Sequence, residues 1–556
     1  MEEHTQINYA DEAFISITSA NRDGILFSIS RDIIIDNFYG DEGIISSAAD
    51  EDSGEMLDAN LDNCINVLFE FLQKFEAPYT IVQEDHHIDA SFRDTFYHYY
   101  SNQHFKTRRY SRRLSFFNGI ISREQFFSEE SEIDNDVKKR FMGSCVINPL
   151  LSGVLGRTLI DPTYIMDKEK KFPVYMRLSE FLINVYGKQL KVRAFPYRMQ
   201  DEETMRCAEV TMLNLIEYYS NSYKDYKSVV PSEILDKEQL HSHERVLPSS
   251  GTTYPIFTKV LADFGFSPRL YNLSSFATNL LSRISPSDEI KRILHYYIES
   301  GIPVAVNLQP INSRGSGHSL LCVGHGQSTE KMKKRAAENK WISWANRENG
   351  HALINSADFY SEYIVIDDNE AVYQIRDFDN LSMYPDMKVS NLAVPLYKRM
   401  FLDAPDAAAI ITSVLNDSVY GIENWSGDFL RKQEDVIIRI FMASSRSFKR
   451  YRISKAKNID TRVFYSQIAM PRFIWVCELF RLEDYDNLQA FGEVVVDATS
   501  AMRSGANNRS LIMMRYPNII TFREPEQSGT LFEQQFEIDE GILFEGYRDN
   551  LDQINV

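Results

Sequence analysis

The sequence predicts an α+β protein of several domains, in which a helix-rich half of the central region faces a sheet-rich half across a cleft. Three observations support this prediction. The 556 residues exceed the usual size of one hydrophobic core. The 44% hydrophobic and 12% aromatic content is that of ordinary globular protein. Helical periodicity and short strand-like apolar runs both recur along the chain.

We expect residues 1–165 to form an N-terminal α/β domain. The apolar run 24–29 predicts a strand, and the helical spacing of apolar residues over 57–75 predicts a helix. Residues 140–160 predict a strand, a turn and a second strand. The basic run 106–113 could bind an anion or an acidic partner, but we favour a solvated face that pairs with the acidic N-terminal region.

The central region, residues 166–400, contains a strand-like run at 188–197 that leads into Cys207. Helices are predicted at 253–264 and 287–299, and strands at 303–308, 319–324 and 362–367. Residues 327–360 look like an insertion with basic residues and with Trp341 and Trp344. This insertion is either a lid or substrate contact, or a helical decoration packed by its tryptophans.

Residues 401–556 predict an α+β C-terminal region that packs on the central one. A helix is expected from Asp403 through Leu415. Strand-like runs follow at 436–442, 461–469, 472–480, 491–497 and 511–515.

Charge and cysteine content exclude several classes of protein. The net charge of −19 argues against a nucleic-acid binder and against attraction to anionic membranes. We expect no membrane helix and no signal peptide. Five scattered cysteines fit a reducing, cytoplasmic setting without a disulfide framework. The histidine-containing segments 84–87 and 241–244 could each donate metal ligands. Neither has a matching second pair at zinc-finger spacing, so we expect no metal and no cofactor.

Cys207, His318 and Asp367 each lie in the local sequence that a thiol hydrolase requires. Cys207 opens an apolar helix-like stretch, and a helix N-terminus favours a thiolate. His318 follows a small-residue turn and leads an apolar strand, and a histidine beside the thiol stabilises the thiolate and protonates the leaving group. Asp367 ends another strand and would orient the histidine. Asp368 is its close rival. Gln200, seven residues before Cys207, would donate to an oxyanion with the Cys207 backbone N–H.

This order of residues resembles the papain-like cysteine peptidases, and most closely the bacterial branch that includes bacteriocin-leader-processing peptidases. The resemblance rests on Gln200, Cys207, the segment 301–306 (Gly-Ile-Pro-Val-Ala-Val), Gly317-His318 and the strand that ends in Asp367. The turn 247–253 and the pair Gly265-Phe266 also fit that branch. The match covers roughly residues 190–400. It implies a helical half and an antiparallel sheet half, with Cys207 as nucleophile, His318 as base, Asp367 as orienting acid and Gln200 as oxyanion donor.

The sequence therefore predicts a cysteine peptidase that hydrolyses peptide or isopeptide bonds in a peptide or protein substrate. The flanking regions would select the substrate or a protein partner. Two alternatives remain: a catalytically inactive binding module on the same fold, and an acyltransferase that uses the same triad.

Overall fold

The computed structural model describes residues 13–18, 22–39, 51–104, 106–166, 172–276, 285–311, 316–338, 351–425, 429–431, 434–501, 510–524, 534–538 and 541–555. Helices and strands are mixed throughout these ranges, and nearly all strand pairs are antiparallel. The chain is therefore an α+β protein.

The N-terminal region is a five-stranded sheet covered by helices. Its elements are β1 (Phe14–Ile17), α1 (Arg22–Tyr39), α2 (Glu51–Gln73), β2 (Tyr79–His87), α3 (Ala90–His98), β3 (Ser111–Asn118), α4 (Arg123–Phe126), α5 (Ser131–Lys139), β4 (Phe141–Ile147) and β5 (Leu155–Ile160). The strands lie in the order β1-β2-β3-β4-β5, and every neighbouring pair is antiparallel. The prediction of an α/β domain is therefore wrong in class, because α/β folds are built on parallel strands.

The strand predicted at 24–29 is also wrong, because these residues belong to α1. The buried positions of α1 include Leu26, Ser30, Ile33 and Ile34. Their spacing of three and four residues is that of one helix face, and this longer pattern outweighs the short apolar run. The helix predicted over 57–75 and the two strands predicted within 140–160 are confirmed as α2, β4 and β5.

The basic run at 106–113 lies on the surface of this region and pairs with acidic side chains. Arg112 reaches Asp36 of α1 at 3.3 Å and Asp85 at 2.9 Å, and Arg113 pairs with Glu84 at 2.6 Å. The pairing with acidic side chains is confirmed, and Asp36 lies in the acidic N-terminal stretch, but the Arg112 and Arg113 side chains are only 14% and 12% exposed, so this end of the run is not a solvated face.

The central region places helices against a curved antiparallel sheet. Its elements are β6 (Val174–Met176), β7 (Ser179–Val185), β8 (Lys188–Ala194), α6 (Cys207–Ser222), α7 (Pro231–His241), α8 (Tyr254–Asp263), β9 (Arg269–Asn272), α9 (Leu273–Phe276), α10 (Pro286–Glu299), β10 (Val304–Pro310), β11 (His318–His325), α11 (Glu330–Glu338), β12 (Leu353–Asn355), β13 (Glu362–Ile366), β14 (Gln374–Asp377) and β15 (Met387–Val394). The sheet runs β14-β13-β11-β10-β15-β9, and β7 and β8 form a separate hairpin. Helix α6 packs on β11.

The C-terminal region contains a second large sheet. Its elements are α12 (Ala404–Leu415), α13 (Ile422–Trp425), β16 (Val436–Ser444), α14 (Ser445–Lys455), α15 (Ile459–Gln467), β17 (Phe473–Arg481), α16 (Leu482–Tyr485), β18 (Gln489–Ala490), β19 (Gly492–Asp497), β20 (Leu511–Tyr516), β21 (Ile519–Phe522), β22 (Gln534–Glu537), β23 (Phe544–Glu545) and β24 (Asp552–Ile554). The seven-stranded sheet has the order β12-β16-β17-β19-β20-β21-β22.

The strand predicted at 461–469 is wrong, because these residues form α15. The helix is capped by Asn458, whose side chain accepts from the Asp460 backbone N–H. Thr461, Phe464 and Tyr465 are buried at helical spacing. Aromatic residues favour strands in general, but here the cap and the spacing decide the outcome.

The central and C-terminal regions exchange strands. β24, near the end of the chain, pairs with β6, and β6 pairs with β11. In return, β12 from the predicted insertion pairs in parallel with β16. One hydrophobic core joins Ile293 of α10 to Trp475 of β17. The two regions thus share both sheet edges and a core.

We expect a fragment of residues 166–400 to lack a cooperative unfolding transition. It would lose β24, leave β12 without its neighbour β16 and expose the shared core to water. The measurement is thermal unfolding followed by circular dichroism, with a fragment of residues 166–556 as the control that keeps both exchanged strands. A 166–400 fragment that melts as sharply as the control would show that the exchange is dispensable.

Candidate active site

The nucleophile candidate Cys207 is the first residue of α6. The helix begins there because Arg206 is extended and its backbone N–H donates to the Glu209 side chain at 3.2 Å, as in a capping box. The first N–H groups of a helix have no intrahelical acceptor and carry partial positive charge. Cys207 is partly exposed, whereas the other four cysteines, which are Cys64, Cys145, Cys322 and Cys477, are buried.

His318 is the first residue of β11, and an interaction with the Cys207 side chain helps to raise the pKa of its imidazole. Its Nε2 lies 2.8 Å from Asp367 Oδ1. A carboxylate only accepts, so Nε2 carries the proton in that bond and Nδ1 is the ring nitrogen left for the sulfur. Gly317 lets the chain before His318 lie close to β10, because a Cβ there would lie 2.9 Å from the Leu308 carbonyl oxygen.

Asp367, rather than Asp368, is the hydrogen-bond partner of His318. In the pairing of β11 with β13, Leu321 lies opposite Ile366, so Asp367 follows on the diagonal from His318 and on the same face. The strand ends at Ile366, and the turn brings Asp368 Oδ1 to within 3.9 Å of the ring as well. In a continued strand, Asp367 and Asp368 would point to opposite faces. Because the strand has ended, both carboxylates can lie near the His318 ring.

The surroundings of His318 favour its charged form. Burial by itself lowers the pKa of this imidazole, but hydrogen bonds to Asp367 and Cys207 and the negative charge of the two acids raise the pKa to about 11. The two acids and the Cys207 side chain therefore favour an imidazolium beside the Cys207 sulfur.

Buried carboxyl groups surround the triad. Burial raises the pKa of Asp368, whose two oxygens have no hydrogen-bond partner among the described residues. Burial also raises the pKa of Glu209 and brings that of Glu238 to about 9, with the neighbouring Glu209 adding to the effect on Glu238. In each of these three groups, burial opposes ionisation of the carboxyl group.

Gln200 lies beside the turn that follows β13. Its Nε2 donates to Asn369 Oδ1 at 2.6 Å, and the Asn369 backbone N–H donates to Asp367 Oδ1 at 3.0 Å. No hydrogen bond links Gln200 to Cys207 within the described ranges. An amide nitrogen has two hydrogens, so one donor of Gln200 remains for another acceptor.

Asp201 holds the loop between Gln200 and Cys207, a role that the sequence analysis missed. Its carboxylate accepts from the backbone N–H groups of Glu203, Thr204 and Met205 at 2.8–3.1 Å. It also accepts from Tyr100 of the N-terminal region at 3.0 Å. The spacing Asp-x-x-Thr could have signalled such a side-chain turn, but nothing local could have indicated Tyr100.

Two tyrosines also contact the triad or its strand. The ring of Tyr384, which is 39% exposed, meets the His318 ring edge-on at 5.9 Å between centroids. Buried Tyr254 of α8 hydrogen-bonds with Ser319 at 3.1 Å. Both come from distant parts of the chain, so sequence spacing gives no signal for them.

Among the described residues, His318, Asp367 and Asp368 are the one group of three donors whose ligand atoms lie within 4.8 Å of one another. This group is the triad itself. The histidines at 84–87 and 241–244 form no such group in the ranges described. His87 lies in β2, and His241 Nε2 pairs with Asp263 at 3.0 Å.

The described part of the insertion at 327–360 packs against the C-terminal region. Lys333 of α11 is 6% exposed and pairs with Glu330 and Asp486, and Ala336 joins a core cluster with Phe480. These contacts favour a structural decoration over a lid. Trp341 and Trp344 lie outside the described residues.

No known protein family model matches the chain, and no curated protein matches its sequence. No helix within the described ranges is both long and apolar enough to cross a membrane.

We expect Asp367→Asn to reduce activity by roughly 10²- to 10⁴-fold and Asp368→Asn to change it little. Removing the Asp367 charge lowers the pKa of His318, because that charge favours the imidazolium. The alkaline limb of the pH–rate profile should therefore move to lower pH in Asp367→Asn. Asp368 lies farther from the ring, at 3.9 Å, and raises the pKa of His318 less than Asp367 does, so its amide variant should change that pKa less. Rate profiles of both variants test this, and the opposite ranking would transfer the orienting role to Asp368.

Proposed function

We propose that the chain is a papain-like cysteine peptidase that hydrolyses peptide or isopeptide bonds. The observation that carries the proposal is a partly exposed cysteine at a helix N-terminus, whose side chain interacts with a histidine that lies 2.8 Å from a buried aspartate. The packing of α6 against an antiparallel sheet that carries the histidine and the acid also supports this fold.

In the proposed reaction, the Cys207 thiolate attacks the carbonyl carbon and forms a C–S bond. The oxygen takes up the negative charge and accepts from the Cys207 backbone N–H and from the free hydrogen of Gln200 Nε2. When the C–N bond breaks, His318 gives its Nδ1 proton to the leaving amine. His318 then takes a proton from water, the resulting hydroxide attacks the thioester carbon, and the C–S bond breaks, which releases the carboxylic acid and restores the Cys207 thiolate beside the protonated His318.

The flanking regions support a selective enzyme rather than a general one. Tyr100 and Gln103 of the N-terminal region bond to the loop before Cys207, through Asp201 at 3.0 Å and Glu203 at 2.9 Å. A partner that displaces this region would therefore act directly on the loop that carries Gln200 and Cys207. We infer that substrate or partner selection acts through this contact.

Product analysis tests the reaction type. The chain is incubated with a peptide library, with and without hydroxylamine as a competing acceptor, and the products are identified by mass spectrometry. Free carboxyl termini without the acceptor support hydrolysis, whereas products that form only with an acceptor support acyl transfer. A chelator should leave the rate unchanged, since the proposed reaction uses the thiol alone. Failure to cleave any peptide, with unreactive Cys207, would favour the binding-module alternative.

A further inference from the structure

A cavity of about 490 Å³ lies at the far end of α6 from Cys207. Its walls come from Tyr219 of α6 and the loop after it, from the end of β16 with the start of α14, and from residues 549–550. Tyr219 follows Cys207 by 12 residues, which is about 18 Å along the helix. The volume is in the range that holds a small organic molecule, and the position is separate from the triad.

The charges in this cavity do not cancel. Three arginines and two aspartates line it. Asp225 pairs with Arg472 at 3.5 Å, and Asp549 pairs with Arg450, outside the lining, at 3.3 Å. Within the described ranges, Arg177 and Arg446 form no ion pair of 4.0 Å or less, although Arg177 donates to the Asp549 and Asn550 carbonyl oxygens at 3.5 and 3.4 Å. The three arginines exceed the two aspartates of the lining, and this excess of positive charge in a chain of net charge −19 favours an anionic ligand.

The start of α14 presents the backbone N–H of Arg446 to the same wall, while the N–H groups on either side of it already have acceptors. Ser444 caps the helix by accepting from the Ser447 N–H at 3.1 Å, and the Ser445 N–H donates to the Arg472 carbonyl at 3.0 Å. Arg446 is the second residue of the helix, so its N–H has no intrahelical acceptor. The partial positive charge of the helix start reinforces the preference for an anion.

Tyr226 supplies an independent indication of a ligand. It lines the cavity, it is only 7% exposed, and its hydroxyl has no hydrogen-bond partner among the described residues. Buried hydroxyl groups are normally paired, so a polar ligand atom would complete this one. Tyr397 and Phe473, whose rings lie 5.3 Å apart, also line the cavity, and the Arg472 guanidinium packs over them at 4.5 and 5.2 Å.

We propose that this cavity binds a small organic anion that carries its acidic group on an aromatic or similarly flat apolar body. Arg177, Arg446 and the start of α14 bind the acidic group, the Tyr226 hydroxyl bonds to a polar atom, and the aromatic wall packs on the apolar body. The proposal is independent of the proposed hydrolysis, because it needs binding alone.

The test uses the full chain and the fluorescent anion 8-anilinonaphthalene-1-sulfonate as the probe. The wild type should show saturable binding, and Arg446→Glu should weaken it at least about tenfold through like-charge repulsion. Arg335→Glu, an equal charge change at an exposed α11 position outside the cavity, should bind as the wild type does. Tyr226→Phe should weaken binding without altering charge, and thermal unfolding checks that each variant is folded.

Competition identifies the acidic group. Benzoate and phenyl phosphate should displace the probe, and whichever acts at the lower concentration indicates a carboxylate or a phosphate ligand. Benzyl alcohol, which has the ring without the charge, should displace it poorly. Absence of saturable binding, equal effects of Arg446→Glu and Arg335→Glu, or equal displacement by benzyl alcohol would each overturn the proposal.

Discussion

Replacing Cys207 with alanine is expected to reduce peptide hydrolysis by at least on the order of 10⁴-fold, to the background rate. His318→Ala should have a comparable effect, because the thiol and the imidazole act as one unit. For the same reason the double variant should be little worse than either single variant. The measurement is kcat/KM on a peptide identified from the library.

The control for this prediction is Cys64→Ala, which removes a buried thiol of α2. It should keep the wild-type rate even where it lowers stability, since packing and catalysis are separate effects. Additive losses in the Cys207 and His318 double variant would contradict the shared mechanism, and full activity in either single variant would exclude it.

Arg452→Met is expected to lower the free energy of unfolding by about 3–5 kcal/mol, the largest effect on stability that we predict. Arg452 is 2% exposed and lies 2.6 Å from both Glu478 and Glu493, each fully buried. Its removal would leave two buried carboxylates without this partner. Denaturant unfolding at pH 7 measures the change.

The matched control is Arg450→Met on the same helix. Arg450 is exposed, and its ion-pair partner among the described residues is the partly exposed Asp549 at 3.3 Å, so its loss should cost less than about 1 kcal/mol. The buried network continues through Arg439 to Glu299 and His325, at the end of the strand that begins with His318. Equal effects of the two variants would show that the network contributes little to stability.

Local patterns were sufficient to predict most elements of the central region. The helix at Cys207, the strands at 303–308 and 319–324 and the helix at 287–299 correspond to α6, β10, β11 and α10. Each has a clear period, a cap or a flanking glycine. Residues 24–29 and 461–469 were mistaken for strands because short apolar or aromatic runs are ambiguous in period.

The long-range features could not be predicted in this way. β24 reaches β6 across more than 370 residues, and β12 leaves the central region to pair with β16. Nothing in the local sequence of these three-residue strands specifies a partner. The antiparallel arrangement of the N-terminal sheet could not be predicted either, because the apolar pattern of a strand does not indicate the direction of the strands beside it.

At the candidate site, residue chemistry identified Cys207, His318 and Asp367, and the geometry brings them together. Other features of the site depend on tertiary contacts and could not be predicted locally. These are the hydrogen bond between Gln200 and Asn369, the hydrogen bond between Tyr100 and Asp201, and the ring contact of Tyr384 with His318. Because β13 ends at Ile366, the choice between Asp367 and Asp368 depends on the turn that follows, which the local sequence does not specify.

The most direct test of the central claim is the rate of alkylation of each cysteine by iodoacetamide at pH 6, followed by peptide mapping. The four other cysteines are buried, and burial raises the pKa of Cys64 to about 11 and that of Cys145 to about 12. If His318 holds Cys207 as a thiolate, Cys207 should be labelled far faster than the others, and His318→Ala should abolish that advantage. Labelling of Cys207 that is no faster than that of the buried cysteines, or that is unchanged in His318→Ala, would contradict an activated nucleophile.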